Sequence, residues 1–299
     1  MYLPVLRRFK EIFLRWNGAV EPISAGNATP EGQSLFFPAG HYYSPVPDAA
    51  DLRQRWPQIT AKRPLHGIDL NLEGQERLAE DVLKVGTSLD FPREARADWR
   101  YYINNWMFSR TDATVLAGML GHLKPKRVIE VGSGFSSAVM LDTRDRLGLD
   151  YSLTFIEPYP ERLEMLLRHS DEAEIIREPV QRVDVSRFDI LEAGDVLFID
   201  STHVSKTGSD VNHDFFNILP VLKPGVIVHL HDIFYPFEYP ELWAVDENRG
   251  WNELYLLRAF LTHSKAFEVM LWPHMLLSNG HKGIADLQEG TGSFWMRRR

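Results

Sequence analysis

Five apolar runs from Lys126 onward, RVIEVG, SLTFIE, AEIIRE, DVLFID and GVIVHLHD, constrain the fold of this 299-residue chain more than any other feature. Helix-compatible segments lie between them: SSAVMLDTRDRL, PERLEMLLRH and DVNHDFFNILPVL. Strands apolar along their whole length are buried on both faces, and strands alternating with helices run parallel through crossovers. A helix in WNELYLLRAFLTHS and strands in AFEVMLW and GSFWM complete the pattern. The expected fold is α/β, a doubly wound, mostly parallel seven-stranded sheet, behind an N-terminal helical and loop-rich extension. In such sheets ligands bind at the carboxyl ends of the strands, near the switch point.

Those ends read Glu130-Val-Gly132, Glu157, Glu178 to Gln181, Asp200-Ser-Thr-His203 and His231-Asp232, nearly all of them polar or acidic. In VIEVGSGFSS a strand turns sharply into a helix. Gly132 and Gly134 let the backbone approach a ligand closely, and the helix start at Ser136 or Ser137 offers free amide donors. Glu157 ends the next strand about 25 residues later, where an acid can hold the two hydroxyls of a ribose. Glu130 lies inside the strand, where a charge is costly unless it has a partner.

A dinucleotide site prefers a third glycine where Ser137 stands. Here the loop also follows a long N-terminal region, and neither DVLFID nor LKPGVIVHLHD is a dehydrogenase signal. Taken with TFIEP after the second strand, these segments resemble the class I S-adenosylmethionine-dependent methyltransferases over about residues 109 to 275. FIDSTH followed by LKPG and HD is most similar to the group with D-x-x-H after the fourth strand, which includes small-molecule O-methyltransferases and relatives of cephalosporin hydroxylase. The resemblance implies a Rossmann-like methyltransferase fold with S-adenosylmethionine as cofactor. Glu130, Gly132, Ser133 and Gly134 would lie along its methionine part, Glu157 at the ribose, and Val180 and Gln181 at the adenine. Asp200 stands at the same cleft. Ser136 replaces a common third glycine, and its hydroxyl could contact the cofactor carboxylate.

Methyl transfer is an in-line displacement at a sulfonium carbon, so the protein must align the acceptor and, for a hydroxyl, remove its proton. Asp200 and Asp232 end neighbouring strands of this fold. The resemblance implies that the matching positions in metal-dependent O-methyltransferases hold a hard divalent ion, with a further carboxylate or amide beside the second acid. His231 and Ile233 stand there instead, and imidazole suits zinc, iron, nickel or manganese better than magnesium. A divalent metal at Asp200, His231 and Asp232 therefore stays open. The preferred reading has His203 as base, with Asp232 orienting it; a structural hydrogen bond is the alternative for both His203 and His231. His229 is expected in the core, and His213 on a helix face.

Residues 3 to 16, LPVLRRFKEIFLRW, have helical apolar spacing, read as a helix docked on its own domain or on a second subunit, with a membrane-surface helix as the alternative. Residues 17 to 68 are rich in Gly, Pro and aromatics, and the expectation is an ordered loop without regular helix. Helices are expected near 70 to 86 and through WRYYINNWMFSRTDATVLAGMLGHL, where Asn104, Asn105 and Asp112 could close over the cofactor. The expected division is 1–100, a substrate cover or dimer contact, and 101–299, the catalytic domain. Tyr42, Tyr43 and Tyr235 are expected to wall a mainly apolar or ring-bearing substrate pocket. The formal net charge of −8 argues against nucleic acid as partner. Without cysteine, thiolate chemistry is excluded. No membrane span or signal peptide is read, so the expected location is cytoplasmic, with a small-molecule substrate and a homodimer possible. Competing readings are a metal-dependent oxidoreductase or hydroxylase on the same fold, a cofactor-binding protein without catalysis, and a distant NAD-dependent dehydrogenase.

Overall fold

The computed structural model describes residues 37–299 and divides the chain into two compact units, Met1–Gln54 and Arg55–Arg299. The amphipathic stretch 3–16 lies outside the described residues. The second unit is built on strands β1 (Arg127–Val131), β2 (Ser152–Ile156), β3 (Glu174–Ile176), β4 (Val196–Ile199), β5 (Ile227–Leu230), β6 (Phe267–Leu271) and β7 (Phe294–Arg298). Their order in the sheet is β3-β2-β1-β4-β5-β7-β6. The first five are parallel, and β7 inserts antiparallel between β5 and β6. The order reverses between β1 and β4, so the cleft beyond their carboxyl ends is the switch point. β4 and β5 are buried along their whole length, as parallel strands covered on both faces must be.

Helices Leu72–Gly86 and Arg110–Leu123 precede β1 and pack on each other; Phe135–Leu147 crosses from β1 to β2, and Glu253–Leu261 leads to β6. Three helix expectations need correction. An 11-residue helix, Ala49–Ile59, occupies part of the stretch expected to hold none. The run AADLRQRW contains neither Gly nor Pro, and the Asp48 carboxylate accepts from the amides of Ala50 (2.7 Å) and Asp51 (3.0 Å), a sound helix start. The helix expected from Trp99 begins only at Arg110. Asn105 accepts from the amides of Met107 and Phe108, both at 2.8 Å, and Trp106 has a left-handed φ of 65°. Such local side-chain bonds compete with a helix, and Ser109 then caps the real one. Asn104 and Asn105 therefore sit in a loop. The segment DVNHDFFNILPVL is also less regular than expected, with one α-turn at Asp210–His213, a wider π-turn at Asp214–Ile218 and a 3₁₀ turn around Pro220. Among the described residues no helix is long and apolar enough to cross a membrane.

Candidate active site

Gly132 follows β1 with φ +79°, and a Cβ there would lie 1.8 Å from the Asp200 carbonyl oxygen. Only glycine lets the loop cross the end of β4 so closely. The Glu157 carboxylate accepts from the amides of Ser133 (3.0 Å) and Tyr159 (2.9 Å), which ties the end of β2 to the loop. Glu130 is fully buried and accepts from the hydroxyls of Ser136 (2.5 Å) and Ser137. Burial pushes Glu130 up to about 8, with the charges of Asp200 and Glu157 adding to the rise and the two serine bonds opposing it. The Ser136 hydroxyl thus points inward to Glu130, whereas Ser133 Oγ is buried without a partner. Gln181 is exposed on the turn after β3, its amide 3.5 Å from the Gly208 carbonyl.

Beyond β4 and β5 four carboxylates surround two imidazoles. His203 Nε2 lies 3.4 Å from both Asp200 and Asp232, and its Nδ1 is 2.8 Å from Glu253. His231 Nδ1 lies 3.4 Å from Asp232 and 3.7 Å from Asp200, and its Nε2 is 3.4 Å from Asp112. Burial alone would lower the His203 pKa, but hydrogen bonds to Asp200 and Glu253 and the charge of Asp232 raise it well above the ordinary value. Burial likewise opposes the charge on His231, yet Asp200, Asp232 and Asp112 carry it up to about 10. Burial raises Asp232 and Glu253 despite their histidine partners. Asp200, His231 and Asp232 each offer one ligand atom, all within 4.8 Å of one another.

The backbone here is held in uncommon conformations. His203 (φ 60°) and Asp232 (φ 58°) are both left-handed, which costs on the order of 1–3 kcal/mol each for such residues. Neighbouring loops hold them there. The amides of Asn252 (3.0 Å) and Glu253 (3.2 Å) donate to the His203 carbonyl, and the Ile233 amide donates to Gly292 O (2.9 Å). A Cβ on Gly292 would come within 2.9 Å of Asp232, so this loop presses directly on the acid. Strain maintained in this way is a mark of functional positions.

The structure therefore gathers Asp200, His203, His231 and Asp232 at one cleft beside Glu130, the glycine loop and Glu157. His229 is fully buried and stacked on Phe198 at 3.8 Å, with Nε2 3.3 Å from Ser293 Oγ and Nδ1 unpartnered. His213 sits on a helix, its Nδ1 3.0 Å from the Asn217 amide nitrogen. Tyr235 is half-buried, and its amide donates to His274 Nδ1 (2.9 Å). Tyr42 and Tyr43 belong to the first unit and are 82% and 66% exposed. Three residues of the cluster had escaped assignment to it. Glu253 opens a helix 50 residues beyond His203, where an acid reads as ordinary first-turn chemistry. Asp112, expected to close over the cofactor, instead pairs with Ser109 at its helix start and faces His231. The Trp251 ring lies 4.5 Å from that of His203 and carried no sequence signal at all.

Residues 129–233 match the model of a methyltransferase-domain family. An uncharacterized protein of Archaeoglobus fulgidus is 36% identical over 163 residues, which cover 52% of this chain and 74% of that protein. Among solved structures, the S-adenosylhomocysteine-bound methyltransferase PaMTH1 of Podospora anserina aligns with TM-score 0.44 and 15% identity, over 90% of this chain and 99% of that one. The O-methyltransferase TomG of Streptomyces achromogenes aligns with TM-score 0.41 and 14% identity, over 83% and 95%. Likeness this distant says nothing about the acceptor. The parallel sheet, its glycine loop and the matched family define an S-adenosylmethionine-binding transferase. Residues 129–233 of this chain carry a methyltransferase domain.

Proposed function

We propose that this methyltransferase acts on a hydroxyl oxygen of a small, ring-bearing molecule. The observation that carries the reading is the meeting of Asp200, His203 and Asp232 at 3.4 Å contacts beside the glycine loop. S-adenosylmethionine supplies a methyl group on a sulfonium, whose departure as a neutral thioether needs no acid. The residues present fit that cofactor: Ser133 Oγ is a buried hydroxyl lacking a partner, and the Glu157 carboxylate can face a ribose diol. A hydroxyl acceptor must lose its proton as the new C–O bond forms. His203 already holds its proton between these acids, so a carboxylate oxygen of Asp200 or Asp232 receives the acceptor's proton, with the imidazolium and its partner Glu253 balancing charge. Trp251, Trp243, Tyr239 and Phe234 form a chain of ring contacts starting from His203, a surface suited to an aromatic or alicyclic acceptor.

The same cluster fits a divalent ion. Asp200, His231 and Asp232 would hold it, and four carboxylates against two imidazoles leave negative charge to neutralise. Such an ion supplies Lewis acidity that lowers the pKa of an acceptor hydroxyl.

Incubation of the protein with methyl-labelled S-adenosylmethionine and a metabolite extract tests the acceptor class. Label is expected in the small-molecule fraction as an alkali-stable ether. Label in protein or nucleic acid, or released by mild alkali as from an ester, contradicts the reading.

Glu130 adds a pH dependence to cofactor binding. Without cofactor it holds a proton up to about 8. A bound sulfonium and α-ammonium favour the carboxylate, so binding below that pH releases protons, and affinity rises with pH until about 8. Calorimetry in two buffers of different ionisation enthalpy should show this release. It should be larger for S-adenosylmethionine than for the neutral thioether S-adenosylhomocysteine, and absent in Glu130→Gln.

A further inference from the structure

The two nitrogens of His231 face different partners. Nε2, a buried nitrogen that makes no formed hydrogen bond, has Asp112 Oδ2 at 3.4 Å as its charge partner, and Nδ1 turns to Asp232 Oδ1 (3.4 Å) and Asp200 Oδ1 (3.7 Å). Asp112 is itself immobilised. Its carboxylate accepts from the hydroxyls of Ser109 (2.8 Å), Thr291 (2.6 Å) and Ser293 (2.7 Å) and from the amides of Gly292 and Ser293 (3.1 Å). The Phe108 ring, 5.1 Å from the His231 ring, packs beside it. His231 is 6% exposed, so it has no solvent to exchange partners with.

We propose that Asp112 is a positioning residue that keeps a proton on His231 Nε2, so that a nitrogen-preferring divalent transition ion such as zinc or cobalt displaces the proton from Nδ1 and is held there with Asp200 and Asp232. The inference rests on the proposed cation role of this cluster and assigns its metal class. A carboxylate on the far nitrogen of a metal-ligating histidine fixes its tautomer and raises its basicity, and loss of such a partner typically costs about 10–100-fold in affinity. Magnesium and calcium prefer oxygen donors throughout and gain little from an imidazole.

Cobalt(II) gives the test a readout independent of turnover. The full chain, stripped with chelator, is titrated with Co²⁺ while its visible d–d absorption is followed, and bound S-adenosylhomocysteine is measured by calorimetry on the same samples. The expected result is a saturable band of tetrahedral or five-coordinate intensity, abolished by stoichiometric Zn²⁺ and unaffected by a thousandfold excess of Mg²⁺. Asp112→Asn should shift the band and weaken Co²⁺ binding by about 10–100-fold, with the melting temperature reporting whether the fold is kept. His231→Asp, which does not touch the Asp112 clamp on Thr291 and Ser293, should remove the nitrogen-ligand band and let Mg²⁺ compete. The absence of a band in the wild-type protein, its persistence unchanged in His231→Asp, or equal competition by Mg²⁺ would each overturn the inference. S-adenosylhomocysteine binding retained in those samples would leave the methyltransferase reading standing, and its loss would count against that reading instead.

Discussion

Asp200→Ala should slow transfer of labelled methyl groups to the acceptor fraction by about 10³-fold, the scale of losing a positioned proton-handling group. Asp200, like Asp232, is shared by both histidines: His203 Nε2 lies 3.4 Å and His231 Nδ1 3.7 Å from its Oδ1. Its removal takes away one of the two acids that bridge the histidines and one of the three candidate ligands. The fold should survive. Asp200 lies past the end of β4, is partly exposed, and engages the sheet and the glycine loop through backbone atoms, with its amide donating to Val131 O at 2.9 Å. Asp200→Asn keeps the shape and removes the charge, so a comparable loss in that variant assigns the effect to charge. A fall below tenfold in Asp200→Ala, with unchanged melting temperature, contradicts the role given to this acid.

Gly132→Ala should be the most damaging single-methyl change in the domain. The new Cβ would lie 1.8 Å from the Asp200 carbonyl oxygen, which is backbone and cannot turn away. A φ of +79° adds its own cost for any residue with a Cβ. Overpacking and backbone strain together are expected to cost about 4 kcal/mol, or about 10 °C in melting temperature for a unit of this size. Relief requires β1 and β4 to part at their carboxyl ends, where the cofactor binds. Affinity for S-adenosylhomocysteine should therefore fall with stability. A variant that melts like the wild-type protein and binds the thioether equally well would show that the loop does not cross β4 as described.

Much of this architecture is legible in the chain because burial on both faces leaves so little freedom in composition. VLFI is apolar throughout and RVIEV and IVHL are mostly so, and each became a central strand. The acids at their ends stand out against that background, which made Glu130, Glu157, Asp200 and Asp232 visible. What escaped depends on contacts distant in sequence or on local competition. Nothing in GSFWM shows that β7 slips between β5 and β6. Asn105 and Ser109 stop a helix that apolar spacing alone extends back to Trp99, and the Asp48 cap starts one where Pro and Gly suggested none. Glu253, and the pairing of Asp112 with His231, are hidden for another reason. Each acid sits in the first turn of a helix, where an acid has a routine explanation, and only folding brings them against His203 and His231.

Calorimetric titration of the wild-type protein and Glu157→Ala with S-adenosylhomocysteine tests the central claim most directly. Glu157 anchors the glycine loop through the Ser133 amide and is the acid proposed to hold the ribose. Loss of its charge-assisted bonds to a ribose is expected to cost about 3 kcal/mol. The account predicts saturable one-to-one binding by the wild-type protein and about 100-fold weaker binding by Glu157→Ala at unchanged secondary structure. No heat of binding in the wild-type protein, or equal affinity in the variant, would contradict it.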